Sequence, residues 1–231
     1  MPRLFWIHGS GYTPDSFRDQ VAAFPGSIAL TLPGHQDGGE PLTSVGALAD
    51  WLAVKVRAAN GKSGPAVVAG NSLGGAIALE WALRHPNDVG GLILIGTGAR
   101  LRVSPAIFEM LDTKWPDSIP AFADYSLSPS ASPELHRRVE AWHRQVGQHA
   151  TRADYAACNE WDIMERVGEI KAPTLIIVGE FDKLTPPKFS RFLHEKIAGS
   201  RLLEIPGAGH AAMTECPDVV NPEIKEFLKR I

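Results

Sequence analysis

Cysteine is scarce in this chain. Cys158 and Cys216 are the only two in 231 residues, far apart and outside any C-x-x-C spacing, so neither a disulfide framework nor a thiolate metal centre organises the fold. Both read as structural thiols of a reducing compartment. No stretch approaches the ~20 consecutive apolar residues that a membrane helix needs, and the start Met1-Pro2-Arg3-Leu4-Phe5-Trp6-Ile7 is too short in apolar residues for a signal peptide. Charge of one sign is also lacking: 23 Lys and Arg stand against 26 Asp and Glu, a net of -3, which argues against nucleic-acid and anionic-membrane partners. There is no H-E-x-x-H or comparable cluster, hence no expected metal and no cofactor. Internal repeats and low-complexity linkers are absent. A cytoplasmic protein is expected, and at 44% hydrophobic content it can bury one sizeable core as a single domain over residues 1–231.

Short runs rich in β-branched residues or leucine recur between glycine and proline punctuation: Leu4 to Ile7, Ile28 to Thr31, Ala66 to Ala69, Leu92 to Ile95, Leu175 to Val178 and Leu202 to Ile205. Apolar on both faces and separated by helical patterns, they predict a parallel sheet of about six strands covered by helices. Val45 to Ala58 carries Leu48, Leu52 and Val56 at a spacing of four, one buried helical stripe. The last helix is expected over Pro222 to Leu228.

Gly70-Asn71-Ser72-Leu73-Gly74 lies directly between an apolar strand and the helix-like stretch Ala76 to Leu83. A serine on such a strand-to-helix turn is held where a base can reach its hydroxyl, and the flanking glycines let strand and helix approach closely. Ser72 is therefore the candidate nucleophile. It needs a histidine to take its proton and a carboxylate to orient that histidine, in the chain order Ser, Asp or Glu, His. Asp182 follows the strand Leu175 to Val178, and His210 follows Leu202 to Ile205, each just past a strand's carboxyl end, where the sites of parallel sheets gather. Glu180 is the reserve orienter. Among the other histidines, His8 is expected to brace backbone, His85 to complement a helix end, and His136, His143, His149 and His194 to be solvated.

Together with Ile7-His8-Gly9-Ser10-Gly11, Leu32-Pro33-Gly34-His35, Gly179-Glu180-Phe181-Asp182 and Gly209-His210 followed by Glu215-Cys216-Pro217, this elbow resembles the α/β-hydrolase superfamily over nearly the whole chain. The resemblance implies a reduced α/β-hydrolase fold and an oxyanion hole formed by the backbone N–H groups of Ser10 and Leu73. It also implies that the stretch from about Arg100 to Gly168, with its seven aromatics and five prolines, is a helical cap that sets substrate choice. The pattern begins only a few residues before the His-Gly turn, leaving no room for the family's N-terminal antiparallel hairpin; one sheet edge is then expected to be covered otherwise, as by a second copy in a homodimer.

The implied activity is that of a serine hydrolase cleaving a small-molecule ester of a small acyl group, a carboxylesterase. A C–C bond hydrolase, lactonase or thioesterase on the same fold stands as the alternative, and a non-catalytic small-molecule receptor on a hydrolase scaffold as a third. Serine at position 72 disfavours dehalogenase and epoxide hydrolase chemistry, which needs a carboxylate there.

Overall fold

The computed structural model describes residues 3–36, 39–61 and 64–231; Met1 and Pro2, where the sequence reading begins, lie outside them. Six strands, β1 (Leu4–Ile7), β2 (Ile28–Leu30), β3 (Ala66–Asn71), β4 (Val89–Ile95), β5 (Thr174–Gly179) and β6 (Arg201–Ile205), form one sheet in the order β2-β1-β3-β4-β5-β6. Every neighbouring pair is parallel. Alternate side chains therefore enter two separate cores. Phe5, Ile7, Val68, Leu92 and Leu94 pack on one face, against α2 (Val45–Asn60) and α3 (Leu73–Arg84). Trp6, Val67, Ala69, Ile93 and Ile95 pack on the other, with Ile224 and Phe227 of α9 (Pro217–Leu228).

The remaining helices are α1 (Arg18–Ala23), α4 (Pro105–Thr113), α5 (Ile119–Ser126), α6 (Pro133–Glu160), α7 (Pro187–Lys196) and α8 (Ala212–Glu215). α4 to α6 fill the expected insertion between β4 and β5. Ser104 and Ser132 cap α4 and α6 by accepting from Ala106 N (3.3 Å) and Leu135 N (3.2 Å), each followed by a proline at the first helical position, where its missing N–H is not needed. Gly147, at φ 80° and ψ 168°, breaks α6 into two pieces. The second piece presents Thr151, Asp154 and Cys158, all buried, at spacings of three and four on one face.

Several boundaries differ from the sequence expectation, two of them at the start of β4 and of α9. β4 begins at Val89, because Val89 pairs with Ala66 and Gly91 with Val67, the ladder stepping over Gly90 at a register shift. α9 begins at Pro217 and runs through Pro222; the backbone bond lost at Pro222 is outweighed by the burial of Val220, Ile224 and Phe227.

Gly74 is the tightest joint. A Cβ there would lie 2.1 Å from Ile7 O, and one at Gly70 would lie 2.1 Å from Gly74 O, so α3 crosses β1 and β3 with backbone against backbone. No side chain can be admitted without moving one element. Gly74→Ala is expected to lower unfolding stability by about 2 kcal/mol or more, read as a shift of the urea midpoint; a midpoint unchanged from the parent would show that the helix can slide to make room.

Candidate active site

Every candidate from the sequence lies at the carboxyl end of a strand. Ser10 follows β1, Ser72 follows β3, Asp182 follows β5 and His210 follows β6. Ser72 has φ 54° and ψ -116°, a left-handed conformation that a non-glycine residue rarely takes. Its backbone is held on both sides: Ser72 N donates to Ile95 O (3.0 Å), while Ser72 O accepts from Ala76 N (3.0 Å) and from the Thr97 hydroxyl (2.9 Å). Leu73 is the first residue of α3, so its N–H is one of those left without an intrahelical acceptor, at the positive end of the helix dipole.

His210 Nδ1 lies 2.9 Å from Asp182 Oδ2, and both side chains are buried. Asp182 Oδ1 accepts from the backbone N–H groups of Leu184 (3.0 Å) and Thr185 (2.7 Å), and Oδ2 also accepts from the Thr185 hydroxyl (2.8 Å). A carboxylate fixed by that many donors cannot swing away, so it holds the Nδ1 proton of His210 and leaves Nε2 as the ring's acceptor. His210 and Ser72 line one small recess with Gly9, Ser10 and Tyr155. Glu180 does not share this role, because its Oε2 accepts from Gly207 N (3.0 Å).

Two polar groups that sequence reasoning did not place, one buried and one half-buried, hold the His210 turn. The Asn71 amide donates to Ile95 O (3.2 Å) and His210 O (3.3 Å). Glu215 accepts from Gly209 N (2.8 Å) and, across to the helical insertion, from Ser128 N (2.9 Å). The nearby Gly209-His210 pair was the available signal for Glu215; nothing local marks its reach to Ser128.

Beside the recess opens a cleft of about 320 Å³ lined by Ser10, Ser72, Leu101, Ile107, Tyr155 and Leu184 among others. Its walls come from both the sheet end and the insertion. Cys158 also faces it, which adds a place to its structural reading. Burial pushes that thiol up to about 12, so it stays protonated and is a poor nucleophile.

The structure corrects one histidine. His143 is buried, not solvated: it packs on Phe122 and Tyr12, with ring centroids 5.2 Å and 5.8 Å away. Neither ring nitrogen has a hydrogen-bond partner among the described residues. His8 is buried as well, accepting from Leu32 N at Nε2 (3.2 Å) and facing Gly9 O with Nδ1 (3.0 Å), the pattern of a neutral ring that braces backbone. Among the described residues no group of three His, Cys, Asp or Glu is arranged to hold a metal ion, and no helix is long and apolar enough to cross a membrane.

A family model described as the alpha/beta hydrolase family matches residues 4–223. The chain belongs to that family. This α/β hydrolase is 30% identical to a pimeloyl-[acyl-carrier protein] methyl ester esterase of Neisseria meningitidis serogroup B, over 98% of this chain and 93% of that protein. A solved thermophilic esterase superposes with a TM-score of 0.89 at 34% identity, covering 100% of this chain and 90% of that one. The enol-lactonase of Burkholderia xenovorans LB400, at 22% identity and a TM-score of 0.86 over 99% of this chain and 91% of its own, shares the fold. The hydrolase has esterase relatives, and its six parallel strands flanked by helices are the reduced sheet that the sequence predicts.

Desolvation, and after it the charge of His35, lowers both His8 and His143 from 6.5 to about 3. Unfolding frees both rings to bind protons at their ordinary values, so between about pH 3 and about pH 6.5 the unfolded chain carries more protons and stability falls as pH falls. The contribution of the neutral rings is complete above that window. His143→Phe, which keeps an aromatic ring among Tyr12 and Phe122, is expected to lose less thermal stability than the parent between about pH 7 and about pH 4. Identical losses in the two proteins would show that His143 does not titrate with unfolding.

Proposed function

We propose that this α/β hydrolase is a serine carboxylesterase acting on esters of small acyl groups through an acyl-enzyme. Ser72 attacks the ester carbonyl, His210 Nε2 takes the serine proton and passes it to the leaving alcohol, and Asp182 keeps the imidazole in the tautomer that this requires. The backbone N–H groups of Ser10 and Leu73 receive the negative charge of the tetrahedral intermediate. Water then releases the acid by the same proton transfers in reverse, and neither half of the reaction calls for a metal or cofactor. The observation that carries this reading is the buried Asp182–His210 pair at 2.9 Å, facing the same recess as a serine on a left-handed strand-to-helix turn.

The ester reading is preferred to thioester, lactone or C–C cleavage because relatives at 30% and 34% identity are named as esterases. Two unpaired cysteines support a reducing, cytoplasmic setting. A fluorophosphonate should label Ser72 covalently, and Ser72→Ala should abolish both labelling and turnover, which also separates an enzyme from a non-catalytic receptor. Asp182→Asn should keep the fold and lose about four orders of magnitude in kcat. An adduct on another residue, or parental rates in Ser72→Ala, would overturn the assignment.

The size of the cleft bears on the acyl group. With Leu101, Ile107 and Leu184 in its walls, each methylene that fits should add up to about 0.8 kcal/mol of transition-state binding, until the chain outgrows the cleft. Across p-nitrophenyl esters from acetyl to palmitoyl, kcat/KM is expected to be greatest for short acyl groups. An optimum at lauroyl or beyond, or a jump in rate above the substrate's critical micelle concentration, would show a lipase instead.

A further inference from the structure

Gly9-Ser10-Gly11-Tyr12 is a reverse turn closed by Tyr12 N donating to Gly9 O (3.1 Å), with Gly11 at φ 66°. Glycine suits that third position, and here it is also the only residue that fits. A Cβ on Gly11 would lie 2.4 Å from His143 Nδ1 and 3.1 Å from Thr151 Cγ2, so both pieces of α6 rest directly on the turn's backbone.

From the second piece, Asp154 reaches the same turn. Its Oδ2 accepts from Gly11 N (3.0 Å) and lies 3.0 Å from His35 Nε2, while His35 Nδ1 lies 3.0 Å from Tyr12 O. A carbonyl oxygen and an ionised carboxylate oxygen can only accept, so the His35 ring donates from both nitrogens and forms a buried ion pair with Asp154. One carboxylate thus grips two successive residues, Gly11 directly and Tyr12 through His35. Asp154 is only 2% exposed, and leaving its partners without it would strand a buried N–H and a buried imidazolium.

We infer that Asp154 is a positioning residue: by holding the Gly11 amide it sets the orientation of the adjoining Ser10 peptide, the oxyanion donor of the proposed mechanism on which this inference rests. The helical insertion is then part of the rate-determining machinery as well as a wall of the cleft. A donor aimed at the oxyanion position acts only as charge develops there, so a misplaced one lowers kcat and leaves ground-state binding almost unchanged.

Asp154→Ala is expected to lower kcat by about tenfold or more with KM close to the parent's. A trifluoromethyl ketone, which forms a tetrahedral adduct with Ser72, should bind more weakly by the same factor as the loss in kcat/KM. Asp154→Asn can still accept from Gly11 N through its amide oxygen and should recover most of kcat. If Asp154→Ala does not fold, Asp154→Asn and His35→Gln are compared instead, and His35→Gln, which removes the Tyr12 tether and the ion pair to Asp154 but leaves the Gly11 N–Asp154 hydrogen bond in place, should show the smaller but still kcat-specific loss. A lowered melting temperature with kcat intact, or a loss confined to KM, would overturn the inference and leave Asp154 a structural residue. Ser72→Ala is measured alongside: if it keeps turnover, the nucleophile reading fails, whereas an inactive Ser72→Ala beside a fully active Asp154→Ala refutes only the positioning role.

Discussion

A left-handed backbone at Ser72 costs on the order of 1–3 kcal/mol, and it persists because its surroundings leave no alternative. β3 ends between two neighbours already paired to it, Ser72 N is spoken for by Ile95 O, and Ser72 O is held from two directions. α3 cannot retreat to relax the turn, since its first turn is wedged against β1 at Gly74, and Ala76, Ile77, Leu79 and Trp81 are sealed into the core behind it. The strain is therefore met by the packing of the whole sheet. What it yields is a serine held just past the strand end at the N-terminus of α3, lining the same recess as His210.

The second organising feature is how the buried ionisable groups are arranged. Two carboxylates lie deep at the sheet top, Asp182 and Asp154, and each faces one histidine at 3.0 Å or less. The two pairs differ in what surrounds them. Asp182 is ringed by hydroxyl and backbone donors from its own loop, which fixes it relative to one strand. Asp154 instead bridges separate parts of the chain, the insertion, the β1 turn and the His35 turn. His8, which packs on His35, and His143, which feels its charge, have no carboxylates of their own and are lowered to about 3 by desolvation and by that neighbour's charge. One charged ring among three buried ones costs far less than three, and the sheet top tolerates this cluster for that reason.

The sheet and its three strand-end residues are legible in the sequence because each depends on local signals: an apolar run, a glycine-bounded turn, one polar side chain. Ser72, Asp182 and His210 could be placed at strand ends before any coordinates. Their mutual distances could not, since these depend on strand order. The insertion is less legible. Ser104-Pro105 and Ser132-Pro133 mark two helix starts by cap chemistry, yet Gly147 resets the helical register midway, so periodicity carried from the start of α6 misplaces the face that follows. His143 and Asp154 lie on opposite sides of that break. The polar neighbours of His143 in sequence read as solvent-facing, and only the tertiary contact with a side-chain-free Gly11 turns that face inward.

That same contact bears on how chemistry and selectivity are shared between the layers. The sheet supplies a serine, a histidine and a carboxylate from loops that the core holds rigid, and such loops change little when a pocket is reshaped. The insertion supplies Leu101, Ile107 and Tyr155 to the cleft, positions that under the proposed function would meet the acyl group. Were the two layers independent, the insertion could drift without affecting the reacting centre. The hydrogen bonds of Asp154 and Glu215 tie it to the turns after β1 and β6, so a change that unseats the insertion also displaces Gly11 and Gly209, the residues flanking Ser10 and His210. Under the proposed function, substrate range would then vary through side chains that line the cleft, while the parts of the insertion that meet those turns are held to one geometry by the backbone they touch.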